Sequence, residues 1–249
     1  MIPRKIHYCW FGTNKLPEST KKYIQTWKKY LPDFEIILWN EENFDINLYS
    51  YARDAYVDGK FAFVADVCRA HVLYHEGGIY LDTDVEVLKS LEPLLEHTAF
   101  AGFEVSTLDI VDGTKEVNLQ MGVIGSEKKS LWIEKILSHF EYLKYYKDNA
   151  ITINSIVNEI AIEDGFEIKD KFQYIQDYLY LYPSEYFIAK DYQTGIITAS
   201  VTTFCIHHYD ASWLSPLNKT KFKLKHIFIQ KLNATLLKKI IIIKRKIIT

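Results

Sequence analysis

The sequence Gly77-Gly78-Ile79-Tyr80-Leu81-Asp82-Thr83-Asp84 decides the fold class and places the candidate site. Residues 61–76 before it carry apolar side chains at helical spacing, and the glycine pair ends that predicted helix. The apolar run 79–81 then has the length of a short buried strand. Because ligands of α/β sheets bind beyond the carboxyl ends of the strands, Asp82 and Asp84 are expected at the edge of a ligand crevice.

These two acids predict a divalent-metal site. On an extended backbone, Asp82 and Asp84 point to the same side. Two carboxylates held so close repel each other unless a cation lies between or beside them. Mg²⁺ and Mn²⁺ are hard ions that take oxygen ligands and keep open positions for substrate phosphates. The motif therefore indicates chemistry in which a nucleoside diphosphate departs.

The segments around this stretch alternate between strand and helix patterns. In chain order, the predicted elements are strand 5–12, a helix opened by Pro17, strand 34–39, helix 61–76, strands 79–81, 99–103 and 117–124, and helices 130–145 and 152–163. Such alternation predicts an α/β domain with a single Rossmann-like, mostly parallel sheet covered by helices on both faces.

Several further side chains are expected near the predicted crevice. Asp66 and Arg69 share a helix face at i and i+3, so they can pair with each other or with sugar hydroxyls. Trp10 follows the first strand, where it can stack on a base or fill the core. His207 and His208 end an apolar run, and because successive strand residues alternate in direction, one of them can point at the crevice. A neutral imidazole suits Mn²⁺ as a ligand.

The net charge of −2 conceals an asymmetry along the chain. Residues 218–249 hold ten Lys and Arg and no acid, which leaves 20 basic and 32 acidic residues in 1–217. A body this acidic argues against nucleic acid as a partner. We divide the chain into a catalytic domain, 1–217, and a basic amphipathic helical tail, 218–249, which either binds an anionic membrane surface or packs on the body.

Cysteine content and the N-terminal residues bear on location. The three cysteines are odd in number and widely spaced, which argues against a disulfide framework and favours a reducing compartment. Residues 1–5 lack the apolar run of a signal peptide, and no stretch reaches the length of an apolar membrane span. We therefore expect a cytoplasmic protein, peripheral on the inner face of the cell membrane if the tail binds lipid.

Four ordered blocks of the sequence carry a family resemblance. They are residues 2–12, 23–27, 65–84 and 207–213. Together they resemble the family 32 glycosyltransferases and, more distantly, the glucosyltransferase domain of the large clostridial toxins. The resemblance implies a nucleotide-diphospho-sugar transferase fold of the GT-A type and transfer with retention at the anomeric carbon.

The resemblance also implies site roles and ligands. The implied roles are base stacking by Trp10, sugar and ribose contacts by Asp66 and Arg69, donor binding by Tyr80 and Asp82, metal ligation by Asp84 and by His208 in preference to His207, and closure over the diphosphate by Ser212 and Trp213. The implied catalytic group is Asp82, Asp84, Asp66 and Arg69. The implied donor is a nucleotide-sugar, UDP-linked in preference to GDP-mannose, and the implied cofactor is Mn²⁺ or Mg²⁺.

The acceptor and two rival functions stay open. Residues 152–155 and 128–129 depart from the family pattern in regions that face the acceptor, so the acceptor is either a lipid-linked glycan of surface polysaccharide synthesis or a protein. A haloacid-dehalogenase-type phosphatase also places Asp-x-Asp after a buried strand, but it needs a hydroxyl where Glu86 stands. The other rival is a non-catalytic module that keeps the fold and binds a nucleotide-sugar or a membrane.

Overall fold

The computed structural model describes residues 1–111 and 114–210, together with Thr220, Lys221, Leu224, His226, Ile227 and Ile229. In the strand segments 106–111 and 114–116 it describes the backbone alone. Most of the predicted tail 218–249 therefore lies outside the described residues, and the domain division at 217 stays a prediction.

Strands and helices alternate over most of the described chain. The strands are β1 (Lys5–Cys9), β2 (Glu35–Trp39), β3 (Gly78–Leu81), β4 (Val85–Val87), β5 (Ala99–Val111), β6 (Thr114–Ser126), β7 (Gln173–Ile175), β8 (Leu179–Tyr182) and β9 (Cys205–His207). The helices are α1 (Glu18–Tyr30), α2 (Ser50–Val57), α3 (Phe61–Glu76), α4 (Leu131–Tyr142), α5 (Ile153–Glu163) and α6 (Ser184–Phe187), with short 3₁₀ turns at Ile46–Leu48 and Glu92–Leu94.

The main sheet has seven strands in the order β2-β1-β3-β6-β5-β8-β7. β1 pairs in parallel with β2 and β3, and β5 pairs in parallel with β8. The pairings β3–β6, β5–β6 and β7–β8 are antiparallel, so the sheet is mixed. A separate two-stranded sheet joins β4 to β9 with Val85 opposite His207. This small sheet brings the C-terminal histidines to the acids that follow β3.

Both faces of the main sheet are covered. Along β3, Tyr80 packs into one buried cluster with α2 to α5, whereas Ile79 and Leu81 pack into another with α1 and α6. A strand that is buried on both sides shows this alternation, because successive side chains point to opposite faces. The predicted α/β class with helices on both faces is confirmed.

The glycine pair before β3 explains why the chain turns there. α3 ends at Glu76, and Gly77 and Gly78 have φ angles of 64° and 112°. A Cβ atom on Gly78 would lie 2.9 Å from the Lys5 carbonyl oxygen and 2.9 Å from His7 Nε2. Glycine combines this backbone conformation with such a close approach to β1.

The sequence patterns locate the long elements and miss the short ones. α3 begins and ends where predicted, whereas β5 and β6 are longer than predicted because they pair with each other almost to the hairpin turn. α2 and β4 have no counterpart in the prediction, since each is too short to show a clear period, whereas β9 ends at His207, where an apolar strand end is expected. No described helix has both the length and the apolar composition of a membrane span.

Candidate active site

The two acids of the opening stretch lie in a tight connection between β3 and β4. Asp82 N donates a hydrogen bond to the Gly122 carbonyl oxygen at 2.8 Å, and Val85 N donates to the Asp82 carbonyl oxygen at 3.0 Å. The first bond ties the connection to β6, and the second closes it into a reverse turn. The carboxylates of Asp82 and Asp84 are thereby held at the carboxyl end of β3, where the sheet rule expects them.

His207 joins these two carboxylates. Its Nε2 atom lies 3.0 Å from Asp84 Oδ1 and 3.7 Å from Asp82 Oδ2. One potential ligand atom from each of the three residues lies within 4.8 Å of the other two. The three side chains are 13–25% exposed, so solvent screens their charges poorly.

Arg69 binds the other side of the cluster. Its Nη2 atom lies 3.1 Å from Asp66 Oδ1 and 3.2 Å from Asp82 Oδ1. Its Nη1 atom donates a hydrogen bond to the Met121 carbonyl oxygen at 2.6 Å, and the guanidinium lies over the Tyr80 ring, 4.6 Å from the centroid. The guanidinium is thus held between α3, β3 and β6. It orients Asp82 by contacting the carboxylate oxygen that does not face His207.

Burial and neighbouring charge set the protonation of the site. Burial raises the pKa of Asp66 to about 6, although Arg69 acts in the opposite direction. Burial also disfavours the charged form of His207, but Asp84 and then Asp82 outweigh it and raise the pKa of His207 to about 9. Burial likewise opposes ionisation of Asp84, yet the His207 cation holds the pKa of Asp84 below its usual value. At neutral pH, Asp84 and His207 therefore form an ion pair when no metal is bound.

β6 contributes a close-packed wall to the site. A Cβ atom on Gly122 would lie 2.8 Å from Asp82 Oδ2 and 3.2 Å from His207 Nδ1, so glycine leaves the space that these side chains occupy. The buried Gln120 side chain accepts hydrogen bonds from the Gly122 and Val123 amides at 2.7 and 2.9 Å. It also donates to the Val123 carbonyl oxygen at 2.8 Å. Both polar atoms of the Gln120 side-chain amide are therefore hydrogen-bonded to the backbone of Gly122 and Val123.

Two similar sets of side chains lie at the ends of β4 and β9. We call Asp84, His207 and Tyr209 the inner set. The Tyr209 ring stacks on the His207 imidazole with 4.2 Å between centroids. Asp210 N donates a hydrogen bond to Asp84 Oδ2 at 2.9 Å. Asp84 is therefore bound by the His207 side chain and by the backbone amide of Asp210.

The outer set consists of Glu86, His208 and Tyr23. His208 Nε2 lies 2.8 Å from Glu86 Oε2, and the Tyr23 ring stacks on the His208 imidazole with centroids 4.6 Å apart. Because Tyr23 belongs to α1, the outer set connects that helix to the small sheet of β4 and β9. Within the described parts of the chain, the outer set does not belong to a three-residue group of potential metal ligands.

The structure changes two roles that the resemblance implies. The resemblance implies His208 in preference to His207 as the metal ligand, but in the structure His207 faces Asp82 and Asp84 whereas His208 faces Glu86, because successive residues at the end of β9 point to opposite sides. Tyr80, expected to bind the donor, is 1% exposed and lies beneath Arg69. Its position on the α3-covered face of β3 places the ring in the core.

The other predicted site residues lie at this edge or outside the described residues. Asp66 and Arg69 share one face of α3, as predicted. Trp10 follows β1, and its Nε1 donates a hydrogen bond to a backbone carbonyl of the next loop at 2.6 Å, which holds the indole beyond the strand. Ser212 and Trp213 lie outside the described residues.

The cluster fits a divalent cation. Two carboxylates and an imidazole are ligand types that Mn²⁺ accepts. Asp66, Asp82 and Asp84 outnumber Arg69 as charges, so a further cation is favoured once His207 is neutral. The Nδ1 atom of His207 is buried and has no hydrogen-bond partner among the described residues. Nε2, the nitrogen on the other side of the ring, faces Asp82 and Asp84 and is the atom that would hold the ion.

Three residues that shape the site, Tyr209, Glu104 and Gly122, are not predicted from the sequence. Tyr209 O–H donates a hydrogen bond to Glu104 Oε2 at 3.0 Å, a contact between positions 105 residues apart that no local pattern can indicate. Gly122 did carry a usable signal, because a glycine inside a strand pattern marks close approach of other groups to the backbone.

Comparison with known proteins identifies the segment that contains the two acids. Residues 17–101 match the family described as the glycosyltransferase sugar-binding region containing DXD motif. The Asp-x-Asp motif within this segment is Asp82-Thr83-Asp84. The predicted resemblance is confirmed for this segment, which runs from the start of α1 into β5.

Two curated yeast proteins are similar over part of the chain. Inositol phosphoceramide mannosyltransferase 3 of Schizosaccharomyces pombe is 37% identical over 106 residues, which is 40% of this chain and 29% of that protein. Mannosyl phosphorylinositol ceramide synthase CSH1 of Saccharomyces cerevisiae is 30% identical over 153 residues, 60% of this chain and 37% of that protein. The chain thus spans well under half the length of either relative.

The mixed sheet with helices on both faces is compatible with the GT-A type fold that the resemblance implies. Among solved structures, the galactosyltransferase LgtC in complex with donor and acceptor sugar analogs is similar, with a TM-score of 0.47 and 14% identity. The similarity covers 93% of this chain and 98% of that one.

Proposed function

We propose that this chain, whose residues 17–101 carry the DXD sugar-binding region, is a metal-dependent glycosyltransferase that moves a hexose from a nucleotide-sugar to a glycan acceptor with retention at the anomeric carbon. The observation that carries the proposal is the convergence of Asp82, Asp84 and His207 at the carboxyl end of β3. Mn²⁺ or Mg²⁺ is the proposed ion, and the role of C-terminal ligand passes from His208 to His207.

The chain's own contribution is a charge arrangement fixed before the donor binds. A divalent cation held by Asp82, Asp84 and His207 would neutralise charge on the departing nucleoside diphosphate. Asp82 Oδ1 faces Arg69 and its Oδ2 faces His207, so both oxygens are oriented by neighbouring side chains. Such prearranged groups stabilise developing charge without reorganising during the reaction.

The described residues favour transfer without an enzyme nucleophile. Gln120 and Asp66 are the two candidates for a group that attacks from below the sugar. The Gln120 amide is bonded to backbone at both ends, and the Asp66 carboxylate is held by Arg69. The acceptor hydroxyl therefore approaches from the leaving-group side, and its proton passes to a diphosphate oxygen as the new glycosidic bond replaces the old one.

The names of the relatives guide the choice of donor and acceptor. The two yeast proteins are named for mannose and for inositol phosphoceramide lipids. The proposed donor is accordingly a UDP-hexose or GDP-mannose, and the proposed acceptor is a lipid-linked glycan, with a protein acceptor as the alternative. Residues 218–249 are proposed to hold the enzyme at the anionic inner face of the cell membrane, since each basic residue near acidic lipid contributes about 1 kcal/mol of binding.

Donor hydrolysis tests the proposal. The purified chain is incubated with UDP-hexoses and GDP-mannose in Mn²⁺, Mg²⁺ or EDTA, and release of nucleoside diphosphate is measured. We expect one donor to be hydrolysed only when metal is present. No release from any donor, together with no rise of the melting temperature when donor and Mn²⁺ are added, would contradict the proposal.

Deletion of residues 219–249 tests the tail separately. We expect the shortened chain to cosediment less with phosphatidylserine vesicles and to hydrolyse the donor at the rate of the full chain. Equal vesicle binding by the two forms would remove the tail from the proposal.

A further inference from the structure

Tyr209 has a backbone conformation that few residues with a Cβ atom adopt. Its φ angle is 52°, in the left-handed region. A bulky residue stays in this region only when its surroundings hold it there, and such positions cluster at functional sites. The residue lies two positions after His207, so its conformation sets the path of the chain as it leaves the cluster.

The turn at Tyr209 directs three consecutive contacts at Asp84. His207 Nε2 lies 3.0 Å from Asp84 Oδ1. His208 N donates to the Asp84 carbonyl oxygen at 2.8 Å, and Asp210 N donates to Asp84 Oδ2 at 2.9 Å. Because Tyr209 reverses the chain between the last two donors, its conformation decides whether the Asp210 amide reaches the carboxylate.

The Tyr209 side chain is held from two directions. Its ring stacks on the His207 imidazole with an interplanar angle of 27°. Its hydroxyl donates to Glu104 on β5, and Glu104 also accepts a hydrogen bond from Asn154 Nδ2 at 3.5 Å. Burial and then Glu104 raise the pKa of Tyr209, so the phenol stays protonated and remains a donor. The contact links the end of β9 to β5 and α5.

We infer that Tyr209 is a positioning residue for metal binding, which holds the His207 imidazole and the Asp210 amide against Asp84 through its stacked ring and its hydrogen bond to Glu104. The inference rests on the proposed function, because it names how the proposed metal ligands are oriented. Tyr209 acts through His207 and is not itself a ligand. Groups that orient a metal ligand typically change metal affinity by about ten- to hundredfold when they are removed.

Calorimetric titration of the full chain with Mn²⁺ tests the inference without an activity assay. Tyr209→Phe keeps the ring but loses the hydroxyl, and we expect about threefold weaker binding. Tyr209→Asn keeps a residue that tolerates left-handed backbone but loses the ring, and we expect binding to weaken about tenfold or more. Tyr142→Asn is the matched control, since Tyr142 is 85% exposed on α4. We expect its affinity to equal that of the wild type.

A double-mutant cycle separates positioning from general destabilisation. Glu104→Ala and Tyr209→Phe remove opposite ends of one hydrogen bond. We therefore expect the Mn²⁺ affinity of the double variant to equal that of the single variant with the lower affinity. Glu104→Gln keeps an acceptor and is expected to bind almost as the wild type does. If Tyr209→Asn fails to fold, the cycle alone decides.

The outcomes distinguish this inference from the proposed function. Wild-type protein that binds Mn²⁺ while Tyr209→Asn binds it equally well would overturn the role of Tyr209 and leave the proposed function standing. Additive effects of Glu104→Ala and Tyr209→Phe would also overturn it. Wild-type protein that does not bind Mn²⁺ would overturn the proposed metal site and this inference with it.

Discussion

The inner and outer sets contain the same three kinds of side chain around the small sheet of β4 and β9. Each has a carboxylate, an imidazole and a tyrosine stacked on that imidazole. In the inner set the imidazole also meets Asp82 at 3.7 Å. The two sets also differ in burial, because the Asp84 side chain is 16% exposed and the Glu86 side chain is 32% exposed.

The second carboxylate is what separates the two sets. Glu86 has one imidazole partner, whereas the inner cluster sets three carboxylates, those of Asp66, Asp82 and Asp84, against the two cations Arg69 and protonated His207, so it keeps a surplus negative charge. The surplus supports the proposed cation site at Asp82, Asp84 and His207. The outer set, joined to α1 through Tyr23, serves as a structural fastening. Residue type alone therefore does not assign the function of either histidine.

The largest difference is expected between Asp84→Ala and Glu86→Ala. Asp84→Ala removes a proposed metal ligand, so donor turnover should fall about a hundredfold or more, because metal neutralisation of a leaving group contributes several kcal/mol. Glu86→Ala should keep most of the turnover. The measurement is the initial rate of nucleoside diphosphate release at saturating Mn²⁺. Comparable losses of turnover in both variants would show that the inner and outer sets do not differ in function.

Arg69→Leu is expected to cause the next largest effect, on stability. The substitution leaves Asp66 and Asp82 buried without their cation, and breaking a buried pair in this way costs about 3 kcal/mol or more of unfolding free energy. Arg53→Leu is the control, because Arg53 forms an exposed pair with Asp54 that contributes about 0–1 kcal/mol. Urea denaturation measures both. Equal losses would show that Asp82 does not depend on Arg69.

Gly122→Ala tests the space around the Asp82 carboxylate. The added Cβ atom would meet Asp82 Oδ2 at 2.8 Å, so the carboxylate must move away from His207. Because this displaces a proposed metal ligand, Mn²⁺ affinity should fall about tenfold. Gly59→Asn is the control, since no atom lies within 4 Å of a Cβ built there and Asn tolerates its φ of 67°. Wild-type affinity in Gly122→Ala would contradict the proposed geometry.

The pH dependence of stability gives a further difference between the sets. The pKa of His207 is about 9 in the folded protein against a usual value of 6.5, so the folded chain holds this proton more tightly than the unfolded chain. The resulting stabilisation is complete below pH 6.5 and is lost as the pH rises through about 9. Because the folded pKa exceeds the usual one by about 2.5, metal-free protein should lose about 3 kcal/mol over this interval.

Two glutamine variants assign that pH dependence to one set. Urea denaturation in EDTA at several pH values should show a flat profile between pH 6.5 and 9 for His207→Gln. His208→Gln should keep the slope of the wild type. A flat profile in His208→Gln alone would place the relevant charge in the outer set.

The sequence predicts the parts of the site that depend on local pattern. The helical spacing of 61–76 and the glycine pair locate α3 and β3, and their junction places Asp82 and Asp84 at the edge of the sheet. The i and i+3 spacing of Asp66 and Arg69 likewise predicts their ion pair. In each case, neighbouring residues along one element determine the geometry.

The remaining parts depend on contacts between distant segments. Which of His207 and His208 faces Asp82 and Asp84 follows from the register of β9 on β4. Strand alternation predicts that the two imidazoles point to opposite sides but does not say which one faces the crevice. The burial of Tyr80 beneath Arg69 depends on which face of β3 meets α3. The contact of Tyr209 with Glu104 requires β5 and the end of β9 to meet, and no local pattern contains that information.

Mn²⁺ binding by His207→Ala and by His208→Ala tests the central claim most directly. Both variants remove one imidazole from adjacent positions, so each is the matched control for the other. With calorimetry on the full chain, His207→Ala should lose measurable Mn²⁺ binding, whereas His208→Ala should bind as the wild type does. Binding retained in His207→Ala and lost in His208→Ala would contradict the assignment of the inner set as the metal site.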